Sequence, residues 1–224
     1  MSMGQTQSIA LLGLTGSVVE VEVDISDGIP MYSLLGLPDA ALQESRDRVR
    51  AAISNCNEVW PNRKVTVSLS PAWLPKSGSS FDLSIALAIL IAHGTVPQEP
   101  FASMVVLGEL ALDGKVRSVR GVLPALIAAY KSGIKRALVS RENYGEASLM
   151  TQMQILTFPN LAQVLRFLRT GEITTAPQLD LELSAEDVQP DFSDVAGQTR
   201  ARFAAEVAAS GGHHLLLIGP PGAG

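Results

Sequence analysis

The clearest chemistry in this sequence lies in its last six residues. Gly219, Pro220, Pro221, Gly222, Ala223 and Gly224 directly follow an apolar run at 215–218. That order suits a phosphate loop, whose pattern is Gly, four residues, Gly, then Lys and Ser or Thr. Glycines let the backbone wrap so that its amides point inward at phosphate oxygens. The lysine would reach the outer phosphates and the hydroxyl would hold magnesium. The 224 residues stop before both, so they are expected not to hydrolyse ATP by themselves, because phosphoryl transfer leans on that charge. On composition alone, the six residues also suit a Gly/Pro-rich surface turn.

Other polar groups invite chemistry too. Arg46, Arg48, Arg50, Arg63 and Lys64 form the densest basic region. Such a region would hold nucleic acid by neutralising phosphates rather than by reading bases. Lys76 lies in a Gly/Ser loop, where it could contact DNA or a neighbouring subunit, or simply be solvated. Arg46, Arg50, Lys64 and Lys76 are the DNA-contact candidates. Glu20, Glu22 and Asp24 could hold a metal, but they equally read as the solvated face of a strand, and no metal site is assigned. Trp60 and Trp73 read as core or interface anchors, and His213 and His214 as packing or capping residues.

These residues must be held by a sizeable fold. Apolar residues make up 46% of the chain and charged ones 17%, which argues against global disorder. The net charge of -5 excludes coating nucleic acid by charge alone and leaves room only for a local basic patch. One cysteine, Cys56, cannot close an intrachain disulfide, which favours a reducing compartment. No basic residue precedes the apolar run at 9–14, so the start lacks a secretory pattern. The strongly apolar stretch at 83–92 is too short to span a bilayer. A soluble cytoplasmic protein is expected.

The elements read as a mixed α/β (α+β) order. Residues 18–24 and 64–70 alternate apolar and polar, as half-buried strands do. Helices are expected over 40–53, with Leu42, Val49 and Ile53 inward, and over 80–93, apolar nearly all round and so buried. Gly94 suits a C-terminal cap. Ser79 is expected to cap the second helix, with Asp82 completing a capping box. Two strands, 104–110 and 115–119, should join at Asp113-Gly114, a strong hairpin signal. Helix 122–131, strand 137–140, a short helix 142–150, strand 154–158 and helix 161–169 follow. Residues 171–190 hold Pro177, Pro190 and several acids and read as an interdomain linker. A helix over 199–209 and a buried strand at 215–218 complete the pattern.

The segment Phe192-Ser193-Asp194-Val195-Ala196-Gly197-Gln198 resembles the stretch of AAA+ ATPases that packs against adenine. With the loop behind it, Asp194, Val195, Gly197 and Gln198 become the adenine-side candidates. Upstream, 74–83 (Leu-Pro-Lys-Ser-Gly-Ser-Ser-Phe-Asp-Leu), Gly108-Glu109-Leu110 with Asp113-Gly114, and Gly121 before Leu123-Pro124-Ala125 are distinctive. Together these motifs resemble the ComM/YifB family of magnesium-chelatase-like AAA+ ATPases over essentially the whole chain. Trp73 departs from the Asp common in that family. The resemblance implies a Lon-protease-like domain over 1–170, a linker over 171–190 and the start of an AAA+ domain over 191–224. It also implies ATP and magnesium as cofactors, a homo-oligomer, hexameric by analogy, and DNA as partner. The activity implied is helicase-like branch migration in natural transformation or recombination.

A Lon-like fold raises the question of proteolysis, which needs a serine and a lysine that deprotonates it. The resemblance places Ser80 at the nucleophile position and Leu123 at the base position. Leucine cannot act as a base, and Lys131 lies two turns further along the same helix. No catalytic residue is therefore assigned. An ATP-dependent Lon-type protease or chaperone is the alternative reading. A chelatase motor inserting magnesium into a porphyrin ranks lower, since such subunits generally lack a Lon-like domain in front.

Overall fold

The computed structural model describes residues 2–171 and 191–220. The chain divides into two compact units, Met1–Leu179 and Asp180–Gly224. Of the expected linker, 171–190, all but Gly171 lies outside the described residues.

In the first unit the strands are β1 (Ser2–Leu12), β2 (Thr15–Ser26), β3 (Met31–Leu35), β4 (Lys64–Ser70), β5 (Met104–Val106), β6 (Glu109–Leu110), β7 (Val116–Arg117), β8 (Arg136–Ser140) and β9 (Gln154–Phe158). The helices are α1 (Ala40–Gln43), α2 (Ser45–Asn55), α3 (Asp82–Ala92), α4 (Val122–Lys131), α5 (Tyr144–Ala147) and α6 (Leu161–Thr170). Seven strands form one mixed sheet in the order β3-β4-β2-β1-β5-β8-β9, while β6 and β7 pair separately. β1–β2 and β2–β4 are antiparallel, and the remaining neighbours are parallel.

Side-chain alternation splits the core between the two faces of the sheet. On β5, Met104 and Val106 join one cluster with α2, α3 and α6, whereas Val105 joins another with α4. On β8, Leu138 and its neighbours Ala137 and Val139 divide the same way. Every residue of α3 is buried, as its uniform apolarity required. It lies so close to β1 that a side chain on Gly4 would come within 2.1 Å of the Ala88 carbonyl. The buried Thr6 hydroxyl links the two elements, 2.8 Å from the Ser84 hydroxyl.

In the first unit the expected elements are present, with informative shifts. The helix over 40–53 breaks at Glu44 into α1 and α2, with Leu42, Val49 and Ile53 all buried. The stretch at 104–110 is two strands, because the chain leaves the sheet between β5 and β6. Gly114, at φ +85°, makes the expected turn before β7. β1 and β3 had no reading as strands.

In the second unit, a short 3-10 turn (Phe192–Asp194) is closed by reciprocal Asp191 and Asp194 bonds. It leads to α7 (Thr199–Gly211), which ends at Gly212 in a left-handed conformation, φ +64°. The buried strand expected at 215–218 is not formed, and Ile218 is 88% exposed. A strand needs a neighbour for its amides and carbonyls, and the described residues of this unit contain no second strand. His213 closes α7 through its backbone, donating to the Ala208 carbonyl at 2.8 Å.

Candidate functional site

Parallel neighbours β1 and β5 pair at a single position, Gln7 with Val105. Past Val106 the chain is drawn away. The Leu107 amide donates to the Leu138 carbonyl at 2.9 Å, and the Gly108 amide to the Ser80 carbonyl at 3.1 Å. A cleft of about 440 Å³ opens where the strands part. Ile9, Ala10 and Leu11 form one wall and Leu107 and Glu109 face them, with Ser79, Ser80 and Arg120 also lining it. The lining mixes apolar and polar residues in similar measure, and a concave site with convergent polar groups is the usual form of a ligand site.

The serines in this cleft do not cap α3. The residue at the cap position is Phe81, and no side chain bonds the first turn. Ser79 instead donates to the Glu109 carboxylate, which also lies 3.9 Å from Arg117. The Ser80 hydroxyl makes no hydrogen bond to the described residues. Leu123 is a half-buried hydrocarbon packed on the cluster around α4, and its amide donates to Glu146 at 2.7 Å.

Asp82, the expected partner in a capping box, points elsewhere. It is wholly buried and takes two bonds from Arg48, at 2.7 and 3.1 Å, and one from the Leu110 amide at 3.3 Å. Burial pushes its carboxyl up to about 6, against the opposing pull of Arg48. The Arg48 guanidinium moves up as well, chiefly through its bond to Asp82. Both directions hold together: the partly exposed cation gains a partner, whereas the buried anion loses more hydration than the pair returns. Arg48 is therefore a structural cation, distinct from the rest of the basic region.

Of the DNA-contact candidates, Arg46, Arg50 and Lys64 are exposed, and none lies within ion-pair distance of a described carboxylate. Arg46 and Arg50 border a shallow cleft of about 90 Å³ with Arg63, Tyr32 and Trp60. The Tyr32 and Trp60 rings pack at 6.1 Å, so Trp60 is the half-buried anchor expected. Trp73, by contrast, is 75% exposed.

Lys76 is a correction. It is 1% exposed, and its ammonium donates to the Leu69 carbonyl at 2.9 Å and to the Pro71 carbonyl. Burial lowers its pKa. It cannot meet DNA without leaving these carbonyls unpaired.

In the second unit, Val195, Gln198, Gly219 and Pro220 line one cavity of about 550 Å³, with Arg202 also at its wall. Asp194 and Gly197 stand apart from it. Asp194 accepts from the Asp191 amide at 2.9 Å, and Gly197, at φ +73°, turns the chain into α7. Pro221, Gly222, Ala223 and Gly224 lie outside the described residues. Sequence reasoning missed the Arg48–Asp82 pair and the place of Arg120 in the cleft wall. The only available signal for the pair was a lone acid within an apolar helix.

Comparison with known proteins follows the same two-part division. The family model for subunit ChlI of Mg-chelatase matches residues 21–143. A second, for magnesium chelatase, subunit ChlI, matches residues 191–224. An uncharacterized protein of Mycobacterium tuberculosis is 48% identical over 229 residues, covering 100% of this chain and 44% of its own length. The protein YifB of Escherichia coli is 38% identical over 224 residues, covering 100% and 44%. The competence protein ComM of Haemophilus influenzae is 37% identical over 228 residues, covering 100% and 45%. The chain thus spans less than half the length of these relatives. More distantly, a Lon protease of Solibacter usitatus is 23% identical over 206 residues, covering 87% of this chain and 25% of its own length. With both models matched in order and these relatives aligned along its whole length, the chain belongs to the ComM/YifB family of magnesium-chelatase-like proteins.

Proposed function

We propose that this chain is the N-terminal portion of an ATP-driven AAA+ motor acting on DNA, as a helicase or branch-migration engine in recombination or natural transformation. The observation that carries this reading is the cavity where Val195 and Gln198 meet Gly219 and Pro220. It joins the adenine-side and phosphate-loop candidates, which lie apart in sequence. ATP would lie with its base toward Val195 and Gln198 and its phosphates toward the loop that begins at Gly219. Bound there, ATP supplies a phosphoryl group whose transfer magnesium assists. Arg202 adds positive charge at the wall. Among the described residues no group of three or more His, Cys, Asp or Glu could hold a metal ion.

DNA as the substrate is supported by the competence name of the Haemophilus relative and by the exposed Arg46, Arg50 and Lys64. In this reading residues 1–170 form a Lon-like platform, 171–190 a linker and 191–224 the start of the motor. The whole protein would assemble as a homo-hexamer in the cytoplasm. No helix among the described residues is long and apolar enough to cross a membrane. The test is phosphate release by the full-length protein with and without branched DNA. Magnesium-dependent turnover stimulated by branched DNA is expected. An absence of turnover under every condition would end the motor reading. Stimulation by unfolded protein alone would favour the Lon-type alternative, against which Leu123 stands.

A further inference from the structure

The cleft beside β1 has a property that its serines do not explain. Residues 9–12 pair with β2 on one side, Ile9 with Val18 through Leu12 with Thr15. On the other side β5 reaches only Gln7, and among the described residues no backbone hydrogen bond ties residues 9–12 to a loop. In an antiparallel pair, alternate residues turn their amides and carbonyls away from the partner strand. Those of residues 9–12 that turn away from β2 face the gap from which the chain after β5 has withdrawn. Ile9 and Ala10 are buried there, and buried backbone groups demand partners.

We propose that this cleft binds an extended polypeptide segment, which adds to the free edge of β1 as a strand and is not cut. An unpaired strand edge presents alternating donors and acceptors spaced for another peptide backbone. A sugar–phosphate chain offers acceptors but lacks that alternation of backbone donors, which distinguishes the occupant from nucleic acid. The walls fit the choice. Ile9, Leu11 and Leu107 offer an apolar seat for one aliphatic side chain. Arg120 is exposed and makes no ion pair or hydrogen bond to the described residues, so it can donate to a peptide carbonyl or a terminal carboxylate. The Ser80 hydroxyl is likewise uncommitted. With a hydrocarbon at position 123, nothing takes its proton, and the bound chain leaves intact. The inference stands on β1 and its cleft and is independent of the DNA reading.

The test uses this 224-residue chain with fluorescein-labelled, reduced and carboxymethylated α-lactalbumin, a permanently unfolded probe. Two measurements run together: anisotropy, and hydrogen exchange resolved to residues 9–12. At saturation, exchange at these amides should slow at least tenfold, with the probe recovered at full length. Ser80→Trp, which fills the cleft, should weaken binding at least tenfold and remove the protection. Arg120→Gln alters only an exposed side chain and should weaken binding severalfold. The proposal is overturned if saturating probe leaves residues 9–12 unprotected, or if a single-stranded oligonucleotide protects them equally. Unchanged affinity in a folded Ser80→Trp protein also overturns it. If that variant does not fold, Arg120→Gln decides, and unchanged affinity there is equally fatal.

Discussion

Replacing Asp82 by Asn should change how the stability of the first unit depends on pH. The Asp82 carboxyl is 0% exposed, and burial raises its pKa from the ordinary 3.8 to about 6 despite Arg48 at 2.7 Å. In the unfolded chain the same group ionises near its ordinary value. Between these two pH values the unfolded state releases a proton that the folded state keeps, so stability falls as pH rises. The contribution is full below about pH 4 and lost once pH passes about 6, an overall loss of about 3 kcal/mol. Asparagine has no such proton. The stability of Asp82→Asn relative to the native chain should therefore rise by about 2 kcal/mol between pH 4 and pH 7, most of that loss. Any constant cost from weakening the Arg48 bond shifts the whole difference curve without changing its slope. Urea unfolding followed by tryptophan fluorescence reads the first unit alone, because the chain's two tryptophans, Trp60 and Trp73, both lie in it. A difference curve that is flat from pH 4 to 7 would refute the reasoning. One that slopes the other way would show that Arg48 holds the carboxyl below its ordinary range.

Three further outcomes are expected. Lys76→Met should cost about 1–3 kcal/mol of stability by leaving the Leu69 and Pro71 carbonyls without their donor. It should not change duplex affinity; a folded variant that loses DNA would return Lys76 to the interface. Duplex binding by this chain should be weak and salt-sensitive, and the double variant Arg46→Ala/Arg50→Ala should flatten its log–log salt slope by about 1.8, at about 0.9 per neutralised phosphate. Anisotropy titrations at several salt concentrations check this, and an unchanged slope would remove both arginines from the interface. The chain should not hydrolyse casein or fluorogenic peptides; turnover that disappears in Ser80→Ala would show that Leu123 does not disable the site.

What the sequence made legible was decided locally. Residues 64–70 alternate because a single face of β4 meets the core, and their pattern names the strand end to end. The turn at Gly114 and the helix α4 likewise follow from neighbours within a few residues. What escaped was decided at a distance. β1 did not read as a strand because its buried positions include polar Thr6 and Ser8. The Thr6 hydroxyl is satisfied by Ser84, far along the chain. Lys76 looked solvated because lysines rarely bury, yet the carbonyls at the end of β4 and just past it capture its ammonium. The helix start slipped from Ser80 to Asp82 because Ser79 found Glu109 and Asp82 found Arg48, partners that no local capping pattern contains.

The same distinction governs the two cavities. In the proposed reading, the cavity lined by Val195, Gln198, Gly219 and Pro220 was legible because a phosphate loop would be written in a short run of glycines. The β1 cleft has no such local code. It exists because one parallel pairing stops after Gln7, pulled apart by two hydrogen bonds from Leu107 and Gly108 to other elements. A sequence pattern can announce where a strand runs, but an interrupted pairing belongs to three segments at once. For that reason a free backbone edge, the feature best suited to seize another polypeptide, emerges only once the sheet is assembled.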